Sequence, residues 1–458
     1  MPAIGAQDAG ADVGSMVHGG QARIAYRLAE SNANKLMYVH GIGWYAWDGR
    51  RWAGSQRGEP KRAVLAVFRD CLADSLIDKT LRTDVGKCES AAGIAGVLDI
   101  AAALEPFAHT VADLDSDPYL LNVRNGTLDL RTCELRAHDP ADRITKVTRA
   151  GLYDSHTSGT QWQRFLEQAL PEVEVRAYFQ RVIGLALLGE VRENILPIAT
   201  GTGGNGKGVA YGAILHALGD YAYAAENDLF TSARRNANAA SPALMGLRGR
   251  RLVIVAETER EQPLAEALMK LITGGDPITA RPLYGNPVSF NPSHTALLVT
   301  NNLPRVSGDD PAIWRRVRLI QFNVSFRDNP DTRLGERLRH DADAILAWAL
   351  EGWRQYQVGG MGDPAQVTQA TTAYQRASDA VTRFLDEECQ VDNPQGAATT
   401  EALHTRWTVW APREGVEPMS ARALGLALDK RGYPSTKGAG GVRRRAGLGL
   451  KPDRDPDE

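Results

Sequence analysis

The stretch GTGGNGKG, residues Gly201–Gly208, has the G-x-x-x-x-G-K spacing of a phosphate-binding loop, which indicates an α/β fold. Its glycines permit backbone angles that side chains forbid, so that successive N–H groups can surround a phosphate. Lys207 stands at the position from which a lysine reaches the terminal phosphates. Gly208 stands where such loops carry a hydroxyl residue that binds Mg²⁺. The loop therefore predicts a nucleotide site that lacks one metal ligand.

The flanks of the loop have the pattern that such a site requires. Residues 195–200 form a short apolar run typical of a buried parallel strand, and residues 209–218 carry apolar residues at helical spacing. A helix that starts at the lysine directs partial positive charge at a phosphate. A glycine turn before an ordinary helix is the alternative, and the flanks disfavour it. The predicted nucleotide contacts are Gly201, Thr202, Gly203, Gly204, Asn205, Gly206, Lys207, Gly208 and Val209.

Two later apolar runs end in polar side chains and predict neighbouring strands of the same sheet. Residues 251–256 lead into Glu257 and Glu259, and residues 296–300 lead into Asn301. Parallel strands deliver such groups to one edge of a sheet, where carboxylates can hold Mg²⁺ and an amide can orient water. We predict Glu257 as the catalytic acid and first metal ligand, and Glu259 as the second ligand. Surface acids, and turn chemistry at Asn301, are the alternatives.

A basic cluster with Arg315 and Arg316 precedes the mostly apolar run 319–322. An arginine from a neighbouring subunit can stabilise the charge that develops on a γ-phosphate during transfer. Such a residue needs an exposed position on a rigid element, and both arginines qualify. Arg318 alternates with apolar residues, so the solvent face of a strand also accounts for it.

Composition limits the class of protein. A chain of 458 residues is long enough for roughly three domains. Its four cysteines lack C-x-x-C spacing, which argues against a zinc site or a disulfide framework and favours a reducing cytosol. No apolar run approaches the ~18 residues of a membrane span. Residues 1–20 are Gly/Ala-rich without a signal-peptide pattern, and we expect them to be disordered. A net charge of −2 predicts that any nucleic-acid contact is local.

The region before the loop combines helical periodicity with two hairpin signals. Asp48-Gly49 lies in an aromatic hairpin, whose tryptophans we interpret as packing residues rather than base-stacking residues. Residues 123–130 predict a second hairpin, which we interpret as connecting structure. Helices are predicted over 160–170 and 173–188.

The region after the sheet is predicted to be helical and then basic. Periodicity predicts helices over 344–356 and 367–388, followed by 401–411 and 420–431. The last two helices and the glycine-rich stretch after them have the order of a winged helix, with 420–431 as its recognition helix. Docking to a protein is the alternative role of such a unit. The predicted DNA contacts in its wing are Lys437, Arg443, Arg444 and Arg445.

The order of these motifs resembles the superfamily 3 helicases, specifically the phage and plasmid primase-helicase group that includes poxvirus and satellite-phage replication proteins. The resemblance covers about residues 115–440. It is carried by GTGGNGKG from Gly201, LGDYA from Leu218, RLVIVAETE from Arg251, LMKLITGGDPITARPLY from Leu268, LLVTNNLP from Leu297 and WRRVRLIQF from Trp314. PYLLNVRNGTLDLRT from Pro118 resembles the segment that precedes the family's nucleotide-binding core.

The resemblance implies a role for each matching residue. Lys207 would be the phosphate lysine, Glu257 the acid and Asn301 the sensor, with Arg316 or Arg315 acting on the neighbouring site. The residues that would face a central channel and contact single-stranded DNA are Lys270, Arg281 and Tyr284. Phosphate neutralisation and base stacking suit these side chains, although a solvated helix and hairpin is the alternative.

These features together predict an α/β chain with a P-loop AAA+-like ATPase core, a mainly helical N-terminal domain and a C-terminal winged-helix domain. The predicted divisions are a disordered N-terminus (1–20), a helical and hairpin collar-like domain (21–150), a superfamily 3 helicase ATPase domain (151–350), a helical connector (351–395), a winged-helix domain (396–452) and an acidic tail (453–458).

The predicted function is ATP-dependent and Mg²⁺-dependent translocation on single-stranded DNA by a ring of subunits, six in the family-based expectation. The ring would unwind forked DNA in the cytoplasm of a bacterial host during phage or plasmid replication. A primase domain is not recognisable, so a separate primase is the expected partner. Gly208 keeps open an ATP-assembled origin-binding initiator with weak hydrolysis, and a primase is the remaining alternative.

Overall fold

The fold is given by a computed structural model. It describes residues 17–153, 160–226, 229, 242–256, 264–281, 287–306, 310–437 and 442–452. Among these residues, no helix has both the length and the apolar character needed to cross a membrane. Most of the segment expected to be disordered, and the acidic tail, lie outside the described residues.

The N-terminal unit combines four helices with a small sheet. The helices are α1 (Gly20–Asn32), α2 (Glu59–Asp74), α3 (Lys79–Cys88) and α4 (Ala91–Ala102). The strands are β1 (Leu36–Val39), β2 (Gly43–Trp47), β3 (Trp52–Gly54) and β4 (Ala108–His109), in the order β3-β2-β1-β4. The helices bury one apolar face each against a common core, which includes side chains of α1, α2, α3 and α4.

The aromatic hairpin of this unit packs its tryptophans against neighbouring rings, with Trp52 buried and Trp44 and Trp47 half-buried. Asp48 accepts hydrogen bonds from two backbone N–H groups of the turn, and Trp47 lies opposite Trp52. Trp52 is only 3% exposed, and the ring of Trp44 lies edge-on to Phe107 at 5.5 Å. These contacts agree with the packing interpretation of the tryptophans rather than with base stacking.

A three-stranded antiparallel sheet follows, formed by β5 (Leu120–Val123), β6 (Gly126–Asp129) and β7 (Glu134–Arg136). Its first turn is the predicted one, with Val123 opposite Gly126. The buried apolar side chains of β5 and β6 belong to the hydrophobic cluster of the central core. These strands therefore pack with the central core, although they precede the predicted domain boundary at residue 150.

The central sheet contains five parallel strands. The next seven strands of the chain are β8 (Leu196–Thr200), β9 (Ala222–Ala225), β10 (Leu252–Ala256), β11 (Ile278–Ala280), β12 (Val288–Phe290), β13 (Thr295–Thr300) and β14 (Val317–Gln321). Strands β11 and β12 pair as an antiparallel hairpin, and the others form a sheet in the order β14-β8-β13-β10-β9. This sheet confirms the predicted α/β class with a parallel sheet, and its short apolar runs are typical of strands buried on both faces.

Helices pack around this sheet. They are α5 (Gln161–Ala169), α6 (Val173–Leu185), α7 (Lys207–Leu218), α8 (Pro242–Met245), α9 (Glu266–Ile272), α10 (Pro311–Trp314), α11 (Leu334–His340), α12 (Ala342–Gly359) and α13 (Ala365–Ser378). Helices α6 and α12 approach closely at Gly184 and Gly352, where an added Cβ would collide with the backbone of the other helix. The fully buried Trp353 then donates its indole N–H to the carbonyl of Leu130 at 2.8 Å, which fixes α12 to the sheet of β5–β7.

The single helix predicted over 367–388 is instead two helices. Helix α13 ends at Ser378, and α14 (Ala380–Glu388) begins after Asp379, whose carboxylate accepts a hydrogen bond from the N–H of Thr382. The same carboxylate pairs with Arg431 at 2.7 Å. The helix ends here because Asp379 caps the next helix and also pairs with Arg431, which is distant in the chain. Helical periodicity alone does not reveal this pairing.

The C-terminal unit comprises α14 and the elements after it. These are β15 (Cys389–Thr399), α15 (Thr400–Arg413), α16 (Ala421–Lys430), β16 (Ser435–Lys437) and β17 (Arg443–Leu450). The strands form an antiparallel sheet in the order β15-β17-β16, and α14 shares its hydrophobic cluster with α15, α16 and β17. Helix α14 supplies part of the core of this unit, although it precedes the predicted boundary at residue 396.

Ion pairs and hydrogen bonds connect the three units. Arg51 of the N-terminal unit pairs with Asp220 beside the central sheet. On the opposite side, Arg305 donates to the carbonyl of Gly415 in the C-terminal unit. Arg305 belongs to the segment that follows β13, so the end of that strand is connected directly to the C-terminal unit.

Candidate functional site

The candidate site lies beyond the carboxyl ends of the parallel strands. Strands β9, β10 and β13 lie on one side of β8 in the sheet, and β14 lies on the other side. The strand order therefore reverses at β8. Open α/β sheets bind ligands in the crevice at such a point. A pocket of about 330 Å³ is present there, lined by residues 203–209, Tyr211, Ala256 and the end of β13.

The loop between β8 and α7 has a backbone that only glycine can adopt. Gly204 and Gly206 have φ values of 79° and 85°, in the left-handed region. At Gly201, an added Cβ would collide with the carbonyl oxygen of Phe322 and with the amide of Asn205. That amide donates to the same carbonyl at 2.9 Å, so Asn205 anchors the loop to the segment after β14. The glycine spacing of the sequence is thus explained by steric requirements of this loop.

Lys207 begins α7 and is buried beneath the loop. Lys207 is only 5% exposed, and this burial lowers the pKa of its ammonium group. Nζ donates to the carbonyl of Gly201 at 2.8 Å, to Oδ1 of Asn205 at 3.0 Å and to Oδ1 of Asn301 at 3.0 Å. A buried ammonium group needs such acceptors, and phosphate oxygens are the natural replacement for them.

Asn301, the predicted sensor, lies directly at this site. It follows β13, and its contact with Lys207 joins the ends of two strands that were predicted separately. Strand β10 ends at Ala256, which also lines the pocket. The predicted acids Glu257 and Glu259 come next in the chain and lie outside the described residues.

The groups present fit a phosphate better than they fit a metal ion. Backbone N–H groups at the start of α7 and the ammonium of Lys207 are suited to bind an anion. Among the described residues that line the pocket, none carries a carboxylate. Gly208 adds no hydroxyl, although a Cβ there would approach only Tyr211, at 3.8 Å. The predicted carboxylate ligands for Mg²⁺, Glu257 and Glu259, lie outside the described residues.

The two candidate arginines lie at the opposite end of the sheet from the loop. Val317, the first residue of β14, pairs with Leu196 at the start of β8, so Arg315 and Arg316 precede the amino edge of the sheet. Five strand residues span about 16 Å, which separates both arginines from the loop of their own subunit. Arg315 is exposed, whereas Arg316 is half-buried and donates to the carbonyl of Ala312 at 2.8 Å.

The predicted channel residues are only partly described. Lys270 lies in the last turn of α9 and forms an ion pair with Asp310, which also caps α10. The hydrogen bond from Lys270 holds the pKa of the Asp310 carboxyl below its usual value. Arg281 directly follows β11, at the edge of the described hairpin, and Tyr284 lies outside the described residues. Lys270 therefore has an internal partner that DNA would have to replace.

The basic residues of the C-terminal unit divide into two groups. Lys437 in β16 and the neighbouring Arg443 and Arg444 in β17 are exposed. Arg445 is 2% exposed, pairs with Asp429 at 2.7 Å and donates to the carbonyl of Gly425 at 2.9 Å. The burial of Arg445 and its contacts inside the unit disfavour the predicted role of this residue as a DNA contact.

Sequence reasoning missed one residue at the loop. Arg327 follows β14, and its Nε donates to the carbonyl of Gly203 at 2.8 Å, while the N–H of Phe326 donates to that of Gly204 at 2.8 Å. An added Cβ at Gly204 would lie 2.6 Å from Cγ of Arg327, so this side chain lies against the loop. Arg327 stands in a polar segment that matches no motif, so the sequence alone did not indicate its position at the loop.

Two family models match separate parts of this chain. A family described as "D5 N terminal like" matches residues 25–171, and a family of unknown function (DUF5906) matches residues 199–316. The second match begins two residues before the phosphate loop and ends at Arg316.

Viral proteins are similar to this chain over most of its length. A protein of Acanthamoeba polyphaga mimivirus named as a candidate helicase is 28% identical over 69% of this chain and 35% of its own length. A protein of African swine fever virus named as a candidate primase is 26% identical over 70% of this chain and 36% of its own length. The chain thus spans about a third of the length of these relatives. The matches support a phage or viral primase-helicase family.

Among solved structures, the C-terminal region of NrS-1 aligns with 93% of this chain and 98% of its own, at 10% sequence identity and a TM-score of 0.49.

Proposed function

We propose that this chain is an ATP hydrolase that uses Mg²⁺ and acts as one subunit of a ring helicase on single-stranded DNA in phage or plasmid replication. The observation that carries the proposal is the 3.0 Å contact between Nζ of Lys207 and Oδ1 of Asn301. It joins the residue suited to bind terminal phosphates to the amide suited to orient water. A phosphate-transfer site needs both groups within reach of one γ-phosphate.

The chain's own residues account for the remaining steps. N–H groups of the loop and of the first turn of α7 bind the phosphates, and Lys207 moves from its three protein acceptors to phosphate oxygens. Bound Mg²⁺ would supply charge neutralisation at the β- and γ-phosphates, held by Glu257 and Glu259. Glu257 accepts a proton from the attacking water, and Asn301 positions that water.

The position of the arginines supports a shared site. Arg315 and Arg316 lie too far from their own loop to reach a nucleotide there, so they would act on the neighbouring subunit. Head-to-tail contacts that close into a ring provide this geometry. The helicase and primase names of the viral relatives support a role in DNA replication and contact with DNA.

The decisive experiment measures ATP hydrolysis with and without single-stranded DNA, together with strand displacement on forked DNA. We expect DNA to stimulate hydrolysis, and Lys207→Ala to reduce turnover by about 100-fold or more, because it removes a charge that stabilises the transition state. Lys61→Ala, on the exposed surface of α2, is the matched control. The proposal would be disproved if single-stranded DNA did not change the rate of hydrolysis and if Lys207→Ala had the same rate as the wild type.

A second candidate function is an ATP-assembled origin-binding initiator with weak hydrolysis, and Gly208 favours it because a metal ligand is missing. It predicts ATP-dependent assembly and sequence-selective duplex binding with no strand displacement. The primase names of some relatives suggest a third, less favoured activity. Primer synthesis from ribonucleotides on a single-stranded template would identify it.

A further inference from the structure

A second pocket, of about 720 Å³, adjoins the phosphate loop on its outer side. It lies between α5, the first turn of α7 and residues 325–337. Gly204, Gly206 and Val209 line both this pocket and the smaller one beside Asn301. A single ligand can therefore cross the loop and occupy both pockets.

The direction of a bound nucleotide follows from what each pocket contains. The smaller pocket holds Lys207 and Asn301, which are suited to act on a terminal phosphate. Val209 and the two loop glycines border both pockets, so the second pocket is within reach of the other end of a phosphate chain bound at the loop. The part of the nucleotide that carries the sugar and base is thus directed into the second pocket.

The walls of the second pocket combine aromatic surface with amides, and charged side chains also line it: Arg164, Arg327, Asp328, Asp331 and Arg337. Phe165 is 3% exposed, and an added Cβ at Gly206 would lie 3.0 Å from its ring and 3.4 Å from the ring of Phe326. Leu334 adds an aliphatic wall on α11. The amide side chains that line the pocket are Gln161, Gln168 and Asn329. Apolar walls with a few amide donors and acceptors are suited to hold a flat heterocycle and hydrogen-bond its edge.

We propose that this pocket is the nucleoside site, in which the base lies against Phe165 and Leu334 and the lining amides contact its edge. The inference rests on the proposed function, because it assumes that the loop binds the phosphates. It assigns nucleotide selectivity to α5 and to residues 325–337, which lie outside the glycine loop.

The test compares binding of ATP with binding of inorganic tripolyphosphate by titration calorimetry, for the wild type and for Leu334→Trp, which fills the pocket from a half-buried position. We expect the wild type to bind ATP more tightly than tripolyphosphate. Leu334→Trp should weaken ATP binding about tenfold or more, equivalent to ~1.4 kcal/mol, and leave tripolyphosphate binding unchanged. Leu65→Trp, at an exposed position on α2, is the matched control.

A second variant keeps the inference testable if Leu334→Trp does not fold. Gln168→Ala combined with Asn329→Ala removes two exposed amides and should weaken ATP binding selectively. Equal affinities of the wild type for ATP and tripolyphosphate would overturn the nucleoside site and leave the phosphate site standing. A wild type that binds neither ligand would overturn the phosphate site, and the nucleoside site with it. Equal weakening of both ligands in both variants would also contradict the inference.

Discussion

Gly208 is the residue at which the loop departs from the usual phosphate-binding sequence, and the structure leaves space for a side chain there. A Cβ at this position meets only Tyr211, at 3.8 Å. Gly208→Ser should therefore fold normally and supply the missing hydroxyl ligand. We expect it to lower the Mg²⁺ concentration that gives half-maximal ATP hydrolysis by about threefold or more, because one more oxygen would bind the ion. A magnesium titration of the hydrolysis rate measures the effect.

Gly208→Ala separates the hydroxyl from the effect of adding a side chain. It should leave the magnesium requirement at the wild-type value. A shift of the same size in both variants would show that the backbone of the loop, rather than metal binding, had changed.

Arg444 and Arg445 are neighbours in β17 that point to opposite environments. Arg445→Ala should lower the free energy of unfolding of the C-terminal unit by about 2–4 kcal/mol, because it leaves buried carbonyl oxygens without their donor. Arg444→Ala should leave stability unchanged and weaken DNA binding. Thermal unfolding and a DNA-binding titration distinguish the two. Equal effects of both variants on DNA binding, at full stability, would contradict the buried role of Arg445.

At the scale of elements, strands β8, β10 and β13 of the central sheet were predicted, whereas β9 and the helix break at Asp379 were not. Short apolar runs that end in polar residues are a local pattern in the sequence. The runs 195–200, 251–256 and 296–300 correspond to β8, β10 and β13. The break depends on a pairing between Asp379 and Arg431, which lie far apart in the chain. The sequence likewise placed Asn301 at the site but could not predict Arg327, whose position depends on the path of the chain after β14.

Strand β10 ends at the pocket, so the residue that follows it is expected to deliver the catalytic acid. Glu257→Gln should abolish turnover while nucleotide binding survives, because the amide keeps the shape of the side chain but cannot accept a proton. Single-turnover hydrolysis and a nucleotide-binding titration measure the two properties separately. The variant Glu259→Gln should retain more activity than Glu257→Gln. If Glu257→Gln were the more active variant, the catalytic role would belong to Glu259 instead.

At the scale of the whole molecule, the groups proposed for catalysis lie at the two ends of the sheet. The loop is at the carboxyl edge, and Arg315 is at the amino edge of the same sheet. Lys207→Ala and Arg315→Ala should each be inactive alone. Mixing them should restore part of the hydrolysis, because some interfaces then combine an intact loop with an intact arginine. No recovery at any mixing ratio, with ring assembly verified by particle mass, would argue against Arg315 and direct the same test to Arg316.

The contacts of Lys207 also bear on nucleotide exchange in the proposed enzyme. Nζ has three protein oxygen acceptors at 2.8–3.0 Å, which compensate its buried charge. In the proposed cycle these oxygens would take the place of phosphate oxygens when the product leaves. Exchange of nucleotide would then replace one set of oxygens around Nζ by another, and each exchange would engage or free the side chain of Asn301. No step of such a cycle would leave the buried ammonium without an acceptor.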